Sequence, residues 1–267
     1  MDKWEFFRDY VRERMNRDKF SISVSSVVEL ADCQVKSLLM SSNNPYGGAP
    51  NKAAILGTLC HNMADLHYSD NDDIDSLWGR AYEKTVEDFR EYEDSASIRM
   101  LRSNRDWFEI KSKMRYLKAF VPWAEKEGVP VYTEKKLQVG YVTGRVDRLD
   151  LMSNGLGYLV TDYKFSTRSP KGRILERYKL QLAGYAYLTR QNGIDVRKAR
   201  IVTFLNASHR EYVFDGDELE DYVEDFEGLV EMAHEVYQTL LCGGKPEFGG
   251  LDCRTCWRKD ICKILRG

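Results

Sequence analysis

Two aspartates and a lysine at the ends of two predicted strands are the first residues whose types and spacing could do chemistry. Asp162 and Lys164 follow a short apolar run, and Asp147 lies in the strand before it. Residues two apart in a strand share a face, so Asp162 and Lys164 project to one side and Tyr163 to the other. If the two strands are neighbours, Asp147 converges with Asp162.

A close pair of carboxylates beside an ammonium group suits a divalent metal ion. The two carboxylates repel each other strongly unless a cation lies between them. Oxygen ligands of this kind favour Mg²⁺ or Mn²⁺. A lysine beside the ion can orient a water molecule or neutralise charge on a phosphoryl group. The alternative is a solvated ion pair at an exposed strand end, because Asp-x-Lys occurs by chance in many chains.

Further polar residues lie on the elements around these strands. Gln181 and Tyr185 are four residues apart in the next predicted helix and therefore share a face. His61 lies on an early helix, four residues after Gly57, and Glu134 lies on the first predicted strand. Ordinary helix packing, a surface histidine and an exposed strand acid are the alternative interpretations of these residues.

The cysteines indicate a second, separate site. Six cysteines in a chain expected to be cytosolic favour metal or redox chemistry over disulfides. The tail carries the pattern C-x2-C-x5-C at Cys253, Cys256 and Cys262. A tetrahedral site needs a fourth ligand, for which the candidates are Cys33, Cys60 and Cys242. A zinc site and an iron–sulfur cluster are both compatible with this pattern.

Positive charge is concentrated directly after the Asp-x-Lys strand. The net charge of −2 excludes a protein that coats polyanions with its whole surface. A local basic patch can still bind a phosphate backbone. The alternative is a solvated loop and helix face. The residues predicted to contact DNA are Arg168, Lys171, Arg173 and Arg177.

The order of predicted elements indicates a mixed α/β fold. The chain has 267 residues, of which 43% are hydrophobic, which is enough for one large core. Residues 1–128 have helical periodicity. Strands are predicted at 129–138, 141–152, 158–164, 200–206 and 211–214, with helices at 174–190 and 217–241. We therefore expect a mixed β-sheet core flanked by helices, with an N-terminal helical annex.

We expect one domain over residues 1–267. Its predicted parts are a mainly helical segment at 1–128 with an insert at 70–128, an α/β core at 129–241 and a cysteine-rich tail at 242–267. No apolar run approaches the roughly 20 residues that a bilayer requires. The first residues lack the apolar segment of a signal peptide, so a cytoplasmic location is expected.

The pattern Asp147…Asp162-x-Lys164 resembles the PD-(D/E)xK nuclease superfamily. The motifs Gly57-x-x-x-His61 and Gln181-x-x-x-Tyr185 are similar to those of its RecB-like branch. The resemblance implies a restriction-endonuclease-like core and metal-dependent DNA cleavage. It also implies metal ligands at His61, Asp147, Asp162 and the Tyr163 backbone carbonyl. Lys164 would then orient the attacking water and stabilise charge, and Gln181 and Tyr185 would position Lys164 and the DNA strand.

The cysteine pattern resembles the iron–sulfur members of that branch, including Cas4 and AddB-type nuclease domains. These proteins take one cysteine from far upstream and three from a C-terminal tail. The resemblance implies a [4Fe–4S] cluster on Cys33, Cys253, Cys256 and Cys262. The roles of Glu134 and Cys242 stay open.

The resemblance also implies a substrate and possible partners. The substrate would be single-stranded DNA ends or flaps, cut as an exonuclease, with a 5′→3′ polarity or additional endonuclease activity as options. A Cas4-like role in processing DNA for CRISPR spacer acquisition implies a Cas1–Cas2 partner. The alternatives are a stand-alone or helicase-associated repair exonuclease and a non-catalytic iron–sulfur DNA-binding subunit. The chain has no G-x-x-x-x-G-K-[ST] phosphate loop, so ATP-driven unwinding would require another chain.

Overall fold

A central mixed β-sheet with helices on both faces forms the fold. The computed structural model describes residues 2–40, 52–69, 74–92, 98–99, 110–206, 208–247, 262 and 265. The strands are β1 Ile22–Ser23, β2 Tyr132–Val139, β3 Val142–Leu151, β4 Tyr158–Phe165, β5 Val196–Phe204 and β6 His209–Asp215. The helices are α1 Lys3–Asn16, α2 Val24–Val28, α3 Gln34–Met40, α4 Lys52–Ser69, α5 Ile74–Asp88, α6 Ile110–Glu127, α7 Arg173–Gln191 and α8 Gly216–Leu241.

The predicted mixed sheet is confirmed. Strand β3 is antiparallel to β2 and β4, β4 is parallel to β5, and β5 is antiparallel to β6. Helix α7 is the crossover that a parallel β4–β5 pair requires. Two short elements, β1 and α3, escaped the sequence analysis because each is too short to show a period. The side chain of Ser23 caps the helix that follows it.

The predicted N-terminal annex is divided between the two faces of the sheet. Helices α1, α2 and α3 share one hydrophobic cluster with α7 and α8. Helices α4, α5 and α6 form a second cluster on the opposite face, together with Tyr163 and Phe204 of the sheet. The N-terminal helices are therefore layers of the core. No helix in the described part of the chain is both long and apolar enough to cross a membrane.

Two glycines allow α7 to lie close to the sheet and to its neighbouring helices. A Cβ atom on Gly144 of β3 would lie 2.8 Å from Leu188 and 3.2 Å from Tyr185. A Cβ atom on Gly184 of α7 would lie 2.6 Å from Phe226 of α8. Any side chain at either position would push α7 outward. The close approach brings the polar residues of α7 to the edge of β3.

A gap between strands along one edge of β3 creates the space for a site. The β3–β4 ladder runs from Leu151↔Tyr158 to Arg148↔Thr161 and stops there. Strand β1 pairs with the start of β3, at Val142 and Thr143. Since β2 occupies the other edge of β3, β1 and β4 share this edge and leave residues 144–147 between them. The next rung would have joined Asp147 to Asp162.

Candidate active site

Asp147 and Asp162 lie where β3 and β4 separate, and both side chains are buried. Asp147 is 7% exposed and Asp162 is 2% exposed. The Asp147 Oδ2 atom accepts a hydrogen bond of 2.7 Å from the Tyr163 backbone N–H, which replaces the missing rung of the ladder. The Tyr163 ring points to the opposite face, where it contacts Phe120 and Trp123. The predicted alternation of Asp162, Tyr163 and Lys164 is confirmed.

His61 and Glu134 complete a group of possible metal ligands around Asp147. His61 Nδ1 lies 3.3 Å from Asp147 Oδ1 and 3.8 Å from Glu134 Oε1. The ligand atoms of these three residues all lie within 4.8 Å of one another. Carboxylate oxygens suit Mg²⁺ and Mn²⁺, and the imidazole nitrogen favours a transition ion, so the donor set fits Mn²⁺ better than Mg²⁺. The sequence predicted His61 and Asp147 as ligands and left the role of Glu134 open.

Glu134 adopts a strained backbone conformation at this site. Its φ of 46° lies in the left-handed region although it is inside β2. The ladder pairs Thr133 with Arg148 and Lys135 with Val146, so Glu134 lies opposite Asp147. A left-handed conformation costs a residue with a Cβ atom about 1–2 kcal/mol. Such strain concentrates at functional sites, and here it occurs where the carboxylate faces His61.

Lys164 is fixed by three groups. Its Nζ atom lies 2.6 Å from Asp162 Oδ2 and donates a hydrogen bond of 3.1 Å to Gln181 Oε1. The ammonium also lies 4.5 Å from the centre of the Tyr178 ring, a cation–π contact. The Gln181 amide donates in turn to Tyr185 OH at 2.9 Å. The structure thus brings together the strand lysine and the Gln-x-x-x-Tyr pair that the sequence singled out.

The buried charges change one another's pKa values. Burial raises the pKa of Asp162 to about 6, and Lys164 only partly opposes this. Burial acts in the same direction on Asp147, but the charges of His61 and Lys164 outweigh it and lower the pKa of Asp147. Burial alone would lower the pKa of Lys164, but the charges of Asp162 and Asp147 raise it, so the lysine stays cationic.

His61 is also protonated in this environment. Burial lowers its pKa, but Asp147 and Glu134 reverse that effect and raise the pKa of His61 to about 10. A metal ion needs a neutral imidazole, so an ion bound among these groups would compete with that proton. Asp147 and Glu134 therefore favour a positive charge beside them, which is either a proton on His61 or a metal ion.

The candidate site lies in an open cavity of about 290 Å³. Several residues that line this cavity were not among the site residues predicted from the sequence. The cavity is lined by His61, Asp147, Asp162, Lys164, Gln181 and Tyr185, and also by Ser25, Thr58 and Arg145. Arg145 Nε lies 2.6 Å from Glu134 Oε2, and the arginine side chain is 43% exposed. Its position two residues before Asp147 on one strand was a signal that could have identified it. We call His61, Glu134, Arg145, Asp147, Asp162 and Lys164 the open charge cluster.

The basic residues predicted to contact DNA fall into two groups. Arg173 forms an ion pair with Asp32, and Arg177 forms ion pairs with Glu29 and Asp32. Arg168 and Lys171 are exposed, and neither forms an ion pair within the described residues. The first group connects α7 to the segment before α3, whereas the second has free charge for a phosphate backbone.

The predicted cluster ligands are only partly described. Cys33 and Cys262 are both half-buried and pack against the same hydrophobic cluster as α1 and α8. Cys253 and Cys256 lie outside the described residues. Cys60 is buried in α4, and Cys242 is exposed at the end of α8.

Comparisons with known proteins find similar solved structures and a matching family. A similar solved structure is the crystal structure of SSO0001, at 17% identity and a TM-score of 0.39, covering 98% of this chain and 96% of that one. Another is a "putative exonuclease" from Eubacterium rectale, at 15% identity and a TM-score of 0.45, covering 94% of this chain and 90% of that one. At these values neither similarity assigns an activity. A search of curated proteins finds no match. The sequence pattern of the PD-(D/E)XK nuclease superfamily matches residues 21–263, and the chain therefore belongs to that superfamily.

Proposed function

We propose that the protein is a Mg²⁺- or Mn²⁺-dependent deoxyribonuclease that hydrolyses phosphodiester bonds at single-stranded DNA ends or flaps. One observation carries the proposal. Of the group that could hold a metal ion, His61 and Asp147 line the same cavity as a lysine held between Asp162 and Gln181, and Glu134 lies beside His61. A structural ion pair would not need a cavity, a strained glutamate or a hydrogen-bonded glutamine to orient the lysine.

Each residue of the open charge cluster has a distinct part in the proposed reaction. His61, Asp147, Asp162 and the Tyr163 carbonyl would hold the metal ion, with Glu134 as an additional ligand. The ion would supply Lewis acidity at the phosphoryl group and lower the pKa of a bound water. Lys164 remains cationic, so it stabilises the negative charge that grows on the phosphoryl oxygens. Water adds to phosphorus and loses a proton, the bond to the leaving sugar oxygen breaks, and that oxygen takes up a proton to leave as a hydroxyl group.

Residues around the cavity would hold the strand during the reaction. Gln181 keeps the Lys164 ammonium in one orientation and is itself fixed by Tyr185 and Ser25. Arg145, at the mouth of the cavity, can bind a phosphate oxygen as well as Glu134. Arg168 and Lys171 would guide the backbone toward the cavity, with Arg173 and Arg177, each ion-paired, on the helix beside them.

We further propose that Cys33, Cys253, Cys256 and Cys262 hold a [4Fe–4S] cluster, as in the Cas4 and AddB-type branch. The support is the C-x2-C-x5-C spacing together with two half-buried thiols that pack on the same core. Anaerobically purified protein should be brown and contain iron and sulfide in equal amounts. Colourless protein with one zinc ion would instead assign a zinc site.

In the cell we propose a cytoplasmic, single-domain nuclease with a Cas4-like role in preparing DNA for spacer acquisition, in partnership with Cas1–Cas2. A repair exonuclease that works with a helicase would use the same residues. Trimming of overhangs by the purified protein, with and without Cas1–Cas2, separates the two roles. If Cas1–Cas2 neither binds the protein nor alters its cleavage of DNA, the Cas4-like role is contradicted.

The nuclease proposal is tested by cleavage of end-labelled single-stranded and duplex DNA in Mg²⁺, Mn²⁺ or EDTA. Lys164→Ala should abolish cleavage while the protein stays folded. Lys198→Ala is the matched control, because Lys198 is an ion-paired lysine on β5 away from the cavity. Metal-dependent cleavage that is lost only in Lys164→Ala supports the proposal. Full activity of Lys164→Ala would refute it.

A further inference from the structure

A second cavity continues the active-site cavity along α7. It has a volume of about 330 Å³ and shares Ser25 and Gln181 with the active-site cavity. Its apolar part is formed by Val28, Ile174 and Tyr178. The sequence analysis assigned no function to these three residues. Because the two cavities share two lining residues, they are adjacent, and a ligand that reacts at the first can extend past Gln181 into the second.

The wall of this second cavity contacts the proposed reaction centre directly. The Tyr178 ring that lines it is the ring under the Lys164 ammonium, at 4.5 Å. Gln181, which orients Lys164, forms the boundary between the two cavities. A group bound in the second cavity is therefore adjacent to the phosphate that Lys164 would contact.

The lining has the chemistry of a nucleobase site. Ile174 is 57% exposed and presents an apolar side chain to a ligand in the cavity. Arg177 and Glu29 also line the cavity; Glu29 is buried in ion pairs with Arg177 and Lys36, whereas Arg177 is 34% exposed and offers N–H donors to the edge of a planar ligand. An apolar and aromatic surface with polar groups at its rim suits a base, which has an apolar face and a hydrogen-bonding edge.

We propose that this cavity, which we call the α2–α7 pocket, binds the base of a nucleotide next to the scissile phosphate. The proposal rests on the proposed nuclease function and specifies its substrate. A base inside a duplex would have to be unpaired and unstacked to enter, at a cost of a few kcal/mol. A base of a single strand is free to enter. The pocket therefore selects single-stranded DNA. In this pocket Arg177, which was predicted to bind phosphate, forms an ion pair with Glu29 at the edge of the bound base.

The test is the binding of fluorescent single-stranded oligonucleotides to the full chain in EDTA, measured by anisotropy. Each oligonucleotide carries one abasic residue, placed at successive positions from either end. At one position, removal of the base should weaken binding about tenfold, equivalent to about 1.4 kcal/mol. Ile174→Ser should weaken binding of the complete oligonucleotide by a similar factor and have no further effect on the abasic one.

The matched control is Leu156→Ser, which changes a more exposed apolar residue in the β3–β4 turn. It should leave both affinities unchanged. Equal affinity for complete and abasic oligonucleotides at every position, or additive effects of Ile174→Ser and base removal, would overturn the pocket assignment. Cleavage of the complete oligonucleotide in Mn²⁺ separates the two proposals. Cleavage without base-dependent binding refutes the pocket alone, and base-dependent binding without cleavage refutes the nuclease alone.

Discussion

Strand β3 carries two groups of buried charges, on its opposite faces, that differ in how completely they are paired. The open charge cluster surrounds Asp147. The other group, which we call the closed charge cluster, contains Glu127, Arg148, Asp150 and Arg200. Adjacent residues of one strand, Asp147 and Arg148, thus belong to different groups. The sheet separates a set of charges that can accept a ligand from a set that cannot.

In the closed charge cluster every contact of Arg148 is internal. Its guanidinium donates to both oxygens of Asp150 at 2.7 Å, to Tyr68 OH at 2.6 Å and to the Gly128 carbonyl at 3.0 Å. The Arg148 side chain is 0% exposed. Burial opposes its charge, but the Asp150 hydrogen bonds outweigh burial and raise the pKa of Arg148 further. Arg148 is thus enclosed by partners from the protein itself.

In the open charge cluster the charges are in competition. Three acids share two partly buried cations and one exposed arginine, beside a cavity. The pKa of Asp162 is raised to about 6 although Lys164 is in contact with it. The difference teaches that burial of charge is not by itself a sign of function. What distinguishes the candidate site is incomplete pairing beside a cavity.

The largest expected effect is the loss of cleavage on neutralising an acid of the open charge cluster. Asp162→Asn should lower kcat/KM about 10³-fold or more, since it removes a proposed metal ligand and the partner that aligns Lys164. The melting temperature in EDTA should change little, because the variant removes both a charge that burial disfavours and the closest acidic partner of Lys164. Cleavage assays and thermal unfolding measure the two effects. A variant that is much less stable and yet cleaves normally per folded molecule would show that Asp162 serves stability and not catalysis.

The closed charge cluster should show the opposite response. Arg148→Met leaves the partly buried Asp150 without its two hydrogen bonds and with only Arg200, at 3.9 Å, as a cationic neighbour, so the free energy of unfolding should fall by about 3 kcal/mol. Cleavage per folded molecule should change little, since Arg148 points away from the cavity. Urea denaturation and activity at low temperature test this. An unchanged unfolding midpoint would show that the internal hydrogen bonds of Arg148 do not stabilise the fold.

Arg145, three residues earlier on the same strand, is an arginine of the open charge cluster and can be compared directly with Arg148 of the closed one. Arg145→Met should lower kcat/KM about 10- to 100-fold, the range for losing a charge-assisted hydrogen bond to phosphate. Its unfolding free energy should change by less than about 1 kcal/mol, because the ion pair is partly exposed. Arg197→Met, which removes an exposed arginine paired with Asp195, is the control and should retain full activity. Equal activity of the two variants would exclude Arg145 from the site.

The smallest effect is expected at Gly57, one turn before His61 on α4. A Cβ atom there would meet nothing within 4 Å among the described residues, so packing does not require glycine. Gly57→Ala should therefore stabilise the helix by up to about 1 kcal/mol. If the space serves the DNA strand, KM should rise while kcat is retained. A variant that is more stable and kinetically unchanged would show that the strand does not pass Gly57.

The sequence predicted those parts of the site that depend on local periodicity. Asp162 and Lys164 share a face because strands alternate, and Gln181 and Tyr185 share a face because they are one helical turn apart. The β-sheet core was predictable for the same reason. The convergence of His61 with Asp147 was inferred only through the family resemblance, because the two residues come from separate elements.

The remainder depends on contacts between distant segments or on local strain. Glu134 itself adopts a left-handed conformation inside a strand, and this places its carboxylate near His61. No periodicity in the sequence indicates such a residue. Arg177 forms an ion pair with Glu29, which lies 148 positions earlier in the chain. The sequence therefore could not show that the charge of Arg177 is already paired. The gap between β1 and β4 arises from a two-residue strand that is too short to detect. These features decide which charges are paired and which remain available.

The central claim is that the open charge cluster, and not the closed one, binds a divalent ion. It is tested most directly by calorimetric titration of Mn²⁺ into the full chain, with Asp147→Asn and Asp150→Asn compared. These variants change two acids of one strand, one in each group of charges. We predict that the wild type and Asp150→Asn bind Mn²⁺ with similar affinity and that Asp147→Asn loses this binding. Unchanged Mn²⁺ binding by Asp147→Asn would contradict the account.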